Sequence, residues 1–240
     1  MQYSWPLTGR GEEMRVIQAA ICDPEVAGIV ICGSAGVGKS RIAREALRSA
    51  ASTCETRWAV GTSSAREIPL GAFASWAPAM ATETLQVVRG VVEALTSAPK
   101  GTPVVIGVDD VNLLDDLSTF VLHRIVQRRA AKLVLTVRDR DPVPAGTREV
   151  WAAAQFDRLD LQPLSRDDTT QLLSATLGGR VDVDDASRLW GLTRGNVLYL
   201  RNIVQQEVAD GRLVQQHGYW RWVGEPVVPA GLMDIIESRI

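Results

Sequence analysis

One segment constrains the fold of this 240-residue chain more than any other: Gly33-Ser34-Ala35-Gly36-Val37-Gly38-Lys39-Ser40. It matches the pattern G-x-x-x-x-G-K-[ST], and it stands between an apolar run, Gly28–Gly33, and a segment of helical character, 39–51. In that context the glycines let successive backbone N–H groups approach a phosphate, and the N-terminus of the following helix favours an anion. The sequence therefore predicts a strand, a phosphate-binding loop and a helix, with all eight residues as nucleotide ligands.

The last two residues of this loop have separate chemical roles. Lys39 is expected to place its charge at the β- and γ-phosphates, and Ser40 to offer its hydroxyl to Mg²⁺. Because the chain has three lysines against 23 arginines, a lysine at this position is informative. A plain glycine-rich turn is the alternative, and the flanking patterns argue against it. Arg41, the next residue, completes the set of candidate nucleotide-binding residues in this segment.

A second signal is the apolar run Pro103–Val108, which ends in Asp109 and Asp110. In open α/β sheets ligands bind at the carboxyl ends of the strands, so both carboxylates should lie beside the phosphate loop. Acidic residues are also common in turns, which is the alternative for either of them. Together with the phosphate loop, they indicate a P-loop NTPase, with Asp109 holding Mg²⁺ through its water shell and Asp110 orienting or deprotonating the attacking water.

A third signal is Arg138, which follows the apolar run Lys132–Val137. If that strand lies next to the one that ends at Asp109, the guanidinium of Arg138 can reach the γ-phosphate and report its presence. The alternative is a solvated loop arginine in a charged stretch. We therefore treat Asp110 and Arg138 as the candidate catalytic pair.

The first two thirds of the chain alternate between apolar runs and helical patterns. Nearly continuous apolar strands joined by helices indicate a parallel sheet that is covered on both faces. The helical segments are 39–51, 82–96 and 117–129, and the expected strands are 28–33, 56–61, 103–110, 132–137 and 158–164.

After Ser165 the pattern changes to helices. Ser165 is expected to cap the first of them, which should end near Leu177; two more should cover 184–195 and 196–211. Residues 212–222 then predict a hairpin with a His217-Gly218 turn, and a last helix is expected over 232–240.

Composition excludes several classes of function. The formal net charge of −2 and a pI of about 5.8 argue against direct nucleic-acid binding by this stretch. Three cysteines without metal-ligand spacing indicate a reducing compartment. Since no apolar stretch reaches the ~20 residues of a membrane-spanning helix, we expect a soluble, cytoplasmic protein without membrane contact.

With these motifs placed, the chain resembles the nucleotide-binding region of the signal-transduction ATPases called STAND proteins. It is most similar to large LuxR-type transcriptional regulators and related adenylyl cyclase–ATPase fusions. The resemblance rests on LTGRGEEM (7–14), VIGVDDVNLLDDLS (105–118), LTRGNVLYLRNIV (192–204) and the final segment, 210–240. It implies that Arg10 lies near the adenine or the domain hinge. Val197 stands where the family has its lid proline.

The resemblance also implies an architecture: an α/β parallel-sheet P-loop NTPase core of the AAA+/STAND-like type over 1–157, a helical lid over 158–209 and the start of a winged-helix domain over 210–240. Its function would be an ATP-binding, slowly hydrolysing switch that uses ATP/ADP and Mg²⁺. The implied partners are the nucleotide, the chain's own effector domains beyond residue 240, including a DNA-binding output, and further copies in an activated homo-oligomer.

Two alternative functions fit the same loop. A P-loop phosphotransferase would move the γ-phosphate to a small molecule, and it would need an acceptor pocket and an arginine-rich lid. A nucleotide-locked scaffold would bind ATP or ADP without turnover and serve as an interaction module.

Overall fold

The structure is a computed structural model that describes residues 4–78, 83–139, 141–152 and 154–224. It divides into two compact units. We call Glu12–Ser34 with Lys39–Leu161 the sheet unit, and Met1–Gly11 with Ala35–Gly38 and Gln162–Ile240 the helical unit. The phosphate loop is thus shared, with its tip in the helical unit.

The sheet unit contains five strands, all parallel, in the order β2-β3-β4-β1-β5. This confirms the predicted α/β parallel sheet and the adjacency of the strands that end at Asp109 and Arg138. The fifth strand begins two residues earlier than predicted and ends at Asp160, the last residue paired with β1. The strands are β1 (Gly28–Gly33), β2 (Glu55–Val60), β3 (Val104–Asp109), β4 (Lys132–Arg138) and β5 (Phe156–Asp160).

Five helices belong mainly to this unit: α1 (Gly11–Cys22), α2 (Lys39–Ala50), α3 (Thr84–Thr96), α4 (Asp116–Gln127) and α5 (Ala145–Ala152). The three predicted helices are α2, α3 and α4, whereas α1 and α5 were not expected from the sequence. Short 3₁₀ segments connect some elements. Asp115 fixes the start of α4, because its side chain accepts a hydrogen bond from Ser118 N and satisfies an otherwise unpaired donor.

The middle of the sheet is fully buried. Every residue of β1 and β3 is buried, as continuous apolar strands between two helical layers require. Gly107 in β3 has a packing reason: a Cβ at this position would lie 2.5 Å from the Trp58 ring and 2.9 Å from Leu47. The glycine therefore makes room for the Trp58 indole against the strand.

The helical unit contains α6 (Arg166–Leu177), α7 (Val183–Thr193) and α8 (Val197–Ala209), with a small sheet of β6 (Arg180–Val181), β8 (Tyr219–Trp222) and β7 (Leu213–Gln216) in that order. Side chains cap all three helices, and Ser165 caps α6 as predicted. The predicted hairpin is confirmed: β7 and β8 are antiparallel, and the two turn residues His217 and Gly218 have φ of 50° and 83°. Those angles are typical of a type I′ turn.

The hairpin packs on the helices of its own unit. Leu213 and Trp222 lie in one apolar cluster with residues of α6, α7 and α8. Beneath it, Glu207 is 1% exposed and accepts hydrogen bonds from Arg212 and from Trp222 Nε1, the latter at 2.6 Å. The hairpin is the described part of the predicted winged-helix start; the expected helix over 232–240 lies outside the described residues, and the boundaries at 157 and 209 stay predictions.

Among the residues that the structure describes, no helix is both long enough and apolar enough to cross a bilayer.

Candidate functional site

Lys39 opens α2 and turns back over the loop that precedes it. Its side chain donates to the carbonyl oxygens of Gly33 at 2.8 Å and Ser34 at 2.9 Å, and Lys39 is only 6% exposed. Burial lowers the pKa of Lys39, and the negative charge of Asp110 acts in the opposite direction. A buried ammonium that two neutral carbonyls hold gains a stronger partner when an anionic oxygen arrives.

Ser40 and Asp109 lie in direct contact, 69 positions apart in sequence. Ser40 Oγ donates to Asp109 Oδ1 at 2.8 Å, and Thr136 Oγ1 donates to the same oxygen at 2.5 Å. Asp109 is 6% exposed, at the end of β3. A serine hydroxyl and a carboxylate held together in this way are the hard oxygen donors that Mg²⁺ prefers, so the two residues fit the metal that the sequence assigns to them.

Asp110 leaves the strand in an unusual backbone conformation. Its φ and ψ are 49° and 55°, in the left-handed region that non-glycine residues rarely adopt. The backbone N–H of Asp110 donates to Thr136 Oγ1 at 2.9 Å. Thr136 is fully buried in β4, and its one hydroxyl therefore holds both the side chain of Asp109 and the backbone of Asp110.

Arg138, at the end of β4, binds the carboxylate of Asp110. Its Nε lies 3.2 Å from Oδ1 and its Nη2 lies 2.6 Å from Oδ2, which is a bidentate ion pair. The hydrogen bond to Asp110 raises the pKa of Arg138. A second carboxylate, that of Asp141, lies 3.8 Å from Nε and accepts a hydrogen bond from Asn112 at 3.1 Å. The guanidinium thus has two carboxylate neighbours.

The tip of the phosphate loop contacts two segments within the helical unit. The carbonyl oxygen of Ala35 accepts a hydrogen bond from Asn196 Nδ2 at 2.8 Å, and that of Gly36 accepts one from Leu198 N at 3.1 Å. Arg10 is 7% exposed and donates to the carbonyl oxygens of Val37 at 3.5 Å and of Gln162 at 2.6 Å. The structure thus places Arg10 beside the loop.

The sheet unit brings together five predicted site residues, which are Lys39, Ser40, Asp109, Asp110 and Arg138. Gly33 and Ser34 adjoin them, whereas Ala35–Gly38 belong to the helical unit. Arg41 is exposed on α2.

Two residues of the site were missed from the sequence, namely Thr136 and Asn196. A hydroxyl two positions before Arg138 on the same strand face was the available signal for Thr136. Asn196 was expected at the start of the helix over 196–211 and within the lid-like segment 192–204, without a contact to the phosphate loop.

The sequence profile of the AAA ATPase domain matches residues 6–137, which is more than half of the chain. The chain belongs to this family. The match of an AAA ATPase domain covers the phosphate loop and both aspartates, and it ends one residue before Arg138. A sequence comparison with curated proteins found no match to the chain.

Solved structures share the fold at low sequence identity. The Aeropyrum pernix ORC1 protein, solved in complex with DNA, is 18% identical with a TM-score of 0.65, over 97% of this chain and 66% of that one. AMPPCP-bound DnaA from Aquifex aeolicus is 15% identical with a TM-score of 0.62, over 86% and 64%. Domain III of DnaA from Thermotoga maritima is 11% identical with a TM-score of 0.57, over 88% and 90%. The chain thus spans less than two thirds of the ORC1 chain and of the Aquifex DnaA chain, and the likeness establishes the fold.

Proposed function

We propose that this AAA ATPase domain binds ATP with Mg²⁺, hydrolyses it slowly and works as a nucleotide-dependent switch. The observation that carries the proposal is the bidentate pair between Arg138 and Asp110, beside the Ser40–Asp109 contact. A cation for the γ-phosphate, a base for water and donors for a metal are the parts that phosphoryl transfer to water requires.

Binding of the triphosphate rests on the loop and on Lys39. The ammonium of Lys39 is held by two loop carbonyls and is partly stripped of water, so a phosphate oxygen is a better partner than either carbonyl. Nucleotide binding by the AMPPCP-bound DnaA of the same fold supports this step.

The metal would be held by Ser40 and, directly or through water, by Asp109. The hydroxyl of Thr136 already fixes one carboxylate oxygen of Asp109, so that this side chain is oriented in advance. Bound Mg²⁺ would supply positive charge at the β- and γ-phosphates.

Hydrolysis consumes one water and gives ADP and inorganic phosphate. Asp110 would accept the proton of the attacking water while the bond from the γ-phosphorus to the bridging oxygen breaks. Because Arg138 donates to both oxygens of Asp110, it competes with water for this carboxylate. When Arg138 turns to the γ-phosphate, the carboxylate is released for the water, and this exchange is the reason we expect turnover to be slow.

The switch would connect to an output outside this chain. The resemblance to STAND-type regulators supports a role in a LuxR-type transcriptional regulator, with effector and DNA-binding domains beyond residue 240 and a homo-oligomer as the activated form. The net charge of −2 argues against DNA binding by this stretch itself, so a DNA-binding output would lie in other domains.

The experiment is a comparison of the unmodified chain with Asp110→Ala in ATP binding and phosphate release. We expect Asp110→Ala to bind ATP and to release phosphate at least about a hundredfold more slowly, as the loss of a general base does. Asp116→Ala, an exposed carboxylate in the first turn of α4, is the control. Equal rates for both variants would remove Asp110 from the mechanism.

Product analysis separates the alternatives. Free phosphate supports the switch, whereas label from the γ-position in a second small molecule supports a phosphotransferase. Retained nucleotide with no turnover by the unmodified chain supports the scaffold. A chain that binds no nucleotide contradicts all three.

A further inference from the structure

Asn196 uses both ends of its side-chain amide at once. Its Oδ1 accepts from the backbone N–H groups of Leu198 at 3.1 Å and Tyr199 at 3.3 Å, and so caps the N-terminus of α8. Its Nδ2 donates to the carbonyl oxygen of Ala35, 161 positions earlier, at 2.8 Å. A single side chain therefore joins the start of α8 to the tip of the phosphate loop, and all of these residues belong to the helical unit.

A second hydrogen bond continues this contact along the loop. The N–H of Leu198, besides its bond to Asn196, donates to the carbonyl oxygen of Gly36 at 3.1 Å. Two successive loop carbonyls, those of Ala35 and Gly36, thus point toward the N-terminus of α8.

Because the peptide bond is planar, the direction of these two carbonyls also fixes the direction of the N–H groups that follow them. In a trans peptide the C=O of one residue and the N–H of the next point in opposite directions, and no described peptide bond is cis. With the carbonyls of Ala35 and Gly36 directed at α8, the N–H groups of Gly36 and Val37 are directed away from it. These are the donors that a phosphate-binding loop presents to an anion.

Gly36 allows the close approach that this arrangement needs. Its φ is 83°, and a Cβ at this position would lie 2.4 Å from Asn196 Oδ1 and 2.9 Å from Leu198 Cβ. This glycine, at a variable position of the motif, is thus required on the side of the loop that faces α8, in addition to any need on the ligand side.

We propose that Asn196 is a positioning residue for nucleotide binding, which orients the phosphate-binding N–H groups of Gly36 and Val37 by holding the carbonyl of Ala35. This inference rests on the proposed nucleotide binding and adds to it a residue from the far half of the chain. Asn196 does not touch the nucleotide in this account, because it acts through the loop backbone.

The decisive variant is Asn196→Ser. Serine is a good N-cap, so the start of α8 is kept, but its side chain is too short to reach Ala35. We expect about a tenfold weaker affinity for ADP in the presence of Mg²⁺, by calorimetric titration, with the melting temperature of the nucleotide-free chain unchanged within about 2 °C. Asn196→Ala loses the cap as well, and should show the same loss of affinity together with a lower melting temperature.

Ser165→Ala is the matched control, since it removes the N-cap of α6, and the described hydrogen bonds of Ser165 do not involve the loop. It should lower the melting temperature and leave the affinity for ADP unchanged. If Asn196→Ala and Ser165→Ala both lose affinity for ADP in proportion to their loss of melting temperature, the role of Asn196 is purely structural.

Inorganic pyrophosphate, measured by displacement of a fluorescent ADP analogue, tests where Asn196 acts. Orientation of phosphate-binding N–H groups predicts the same fold loss for pyrophosphate as for ADP. A loss that is confined to ADP would place Asn196 on the adenosine side and contradict the inference. An ADP affinity of Asn196→Ser within twofold of the unmodified chain would also overturn the inference, while nucleotide binding stands. If the unmodified chain binds neither ligand, the proposed function fails and this inference fails with it.

Discussion

Arg138 covers both carboxylate oxygens of Asp110, with Nε 3.2 Å from one and Nη2 2.6 Å from the other. Arg138 ends β4 and Asp110 directly follows the neighbouring strand β3, which brings the two residues together although 28 positions separate them. In the proposed mechanism this pair places the base and the phosphate-sensing cation in one contact, so a phosphate that attracts Arg138 would also free Asp110.

Replacement of Arg138 by alanine should reduce the preference for ATP over ADP. The guanidinium has no γ-phosphate partner when ADP is bound, so its removal weakens ATP binding more than ADP binding, by about tenfold, or about 1.4 kcal/mol. Calorimetric titrations with both nucleotides measure the ratio. Arg128→Ala, at the exposed end of α4, should leave it unchanged. An unaltered ratio in Arg138→Ala would make Arg138 a surface arginine that only pairs with Asp110.

Lys39→Ala should abolish nucleotide binding, with an affinity for ATP at least about a hundredfold weaker. Loss of the ammonium leaves the phosphate without its main charged donor, and the loop carbonyls of Gly33 and Ser34 without their partner. Titration calorimetry provides the measurement, and Lys100→Ala, an exposed lysine far along the sequence, provides the comparison. Undiminished affinity in Lys39→Ala would rule out this loop as the nucleotide site.

Thr136→Val should damage the metal site, and Thr136→Ser should largely preserve it. Valine has nearly the shape of threonine but neither donates to Asp109 nor accepts from the N–H of Asp110. We expect a loss of about 1–3 kcal/mol in the free energy of unfolding, because buried polar atoms lose their partner. We also expect a smaller gain in ADP affinity on adding Mg²⁺ than in the unmodified chain.

Chemical denaturation and ADP titrations with Mg²⁺ or with EDTA measure the two effects of Thr136→Val. Equal effects of valine and serine on the Mg²⁺-dependent gain would show that the hydroxyl does not position Asp109.

The stability of the helical unit should fall at acid pH through Glu207. The hydrogen bond from Arg212 lowers the pKa of this buried carboxyl. A carboxyl with a lowered folded pKa contributes stability that is complete above its unfolded pKa, about 4.3, and is lost as the pH falls through the folded value. Thermal unfolding between pH 7 and pH 3 should therefore show a loss of stability with acid that Glu207→Gln lacks. At pH 7 the free energy of unfolding of Glu207→Gln should be lower than that of the unmodified chain by about 1–3 kcal/mol. A Glu207→Gln variant with the same acid profile would exclude this carboxyl.

The strands that are most deeply buried are also the ones whose positions the sequence predicts best. The strands β1, β3 and β4 were predicted because they are buried on both faces and therefore read as continuous apolar runs. The edge strand β2 is only partly buried, and it lies one residue earlier than the predicted 56–61. The edge strand β5 was shifted, since three of its five residues are charged and the strand is only partly buried. The helix α5 was missed because its 8 residues make about two turns, too few for an apolar period to stand out. The helix α1 was missed although its apolar periodicity is comparable to that of the predicted helix α4.

The sequence by itself determined the phosphate-loop motif, the two aspartates after an apolar run and the succession of the five strands along the chain, because each depends on residues that are close together in the chain. Only the tertiary structure decided the contacts that join them: the pairing of Arg138 with Asp110, the bridge that Thr136 makes, and the hydrogen bond from Asn196 to Ala35 across 161 positions. Such contacts depend on which strands are neighbours and on where a helix begins in space. The adjacency of strands and the position of a helix start are set by the burial of the whole apolar core, which is formed by residues from many segments and is not encoded in a single motif.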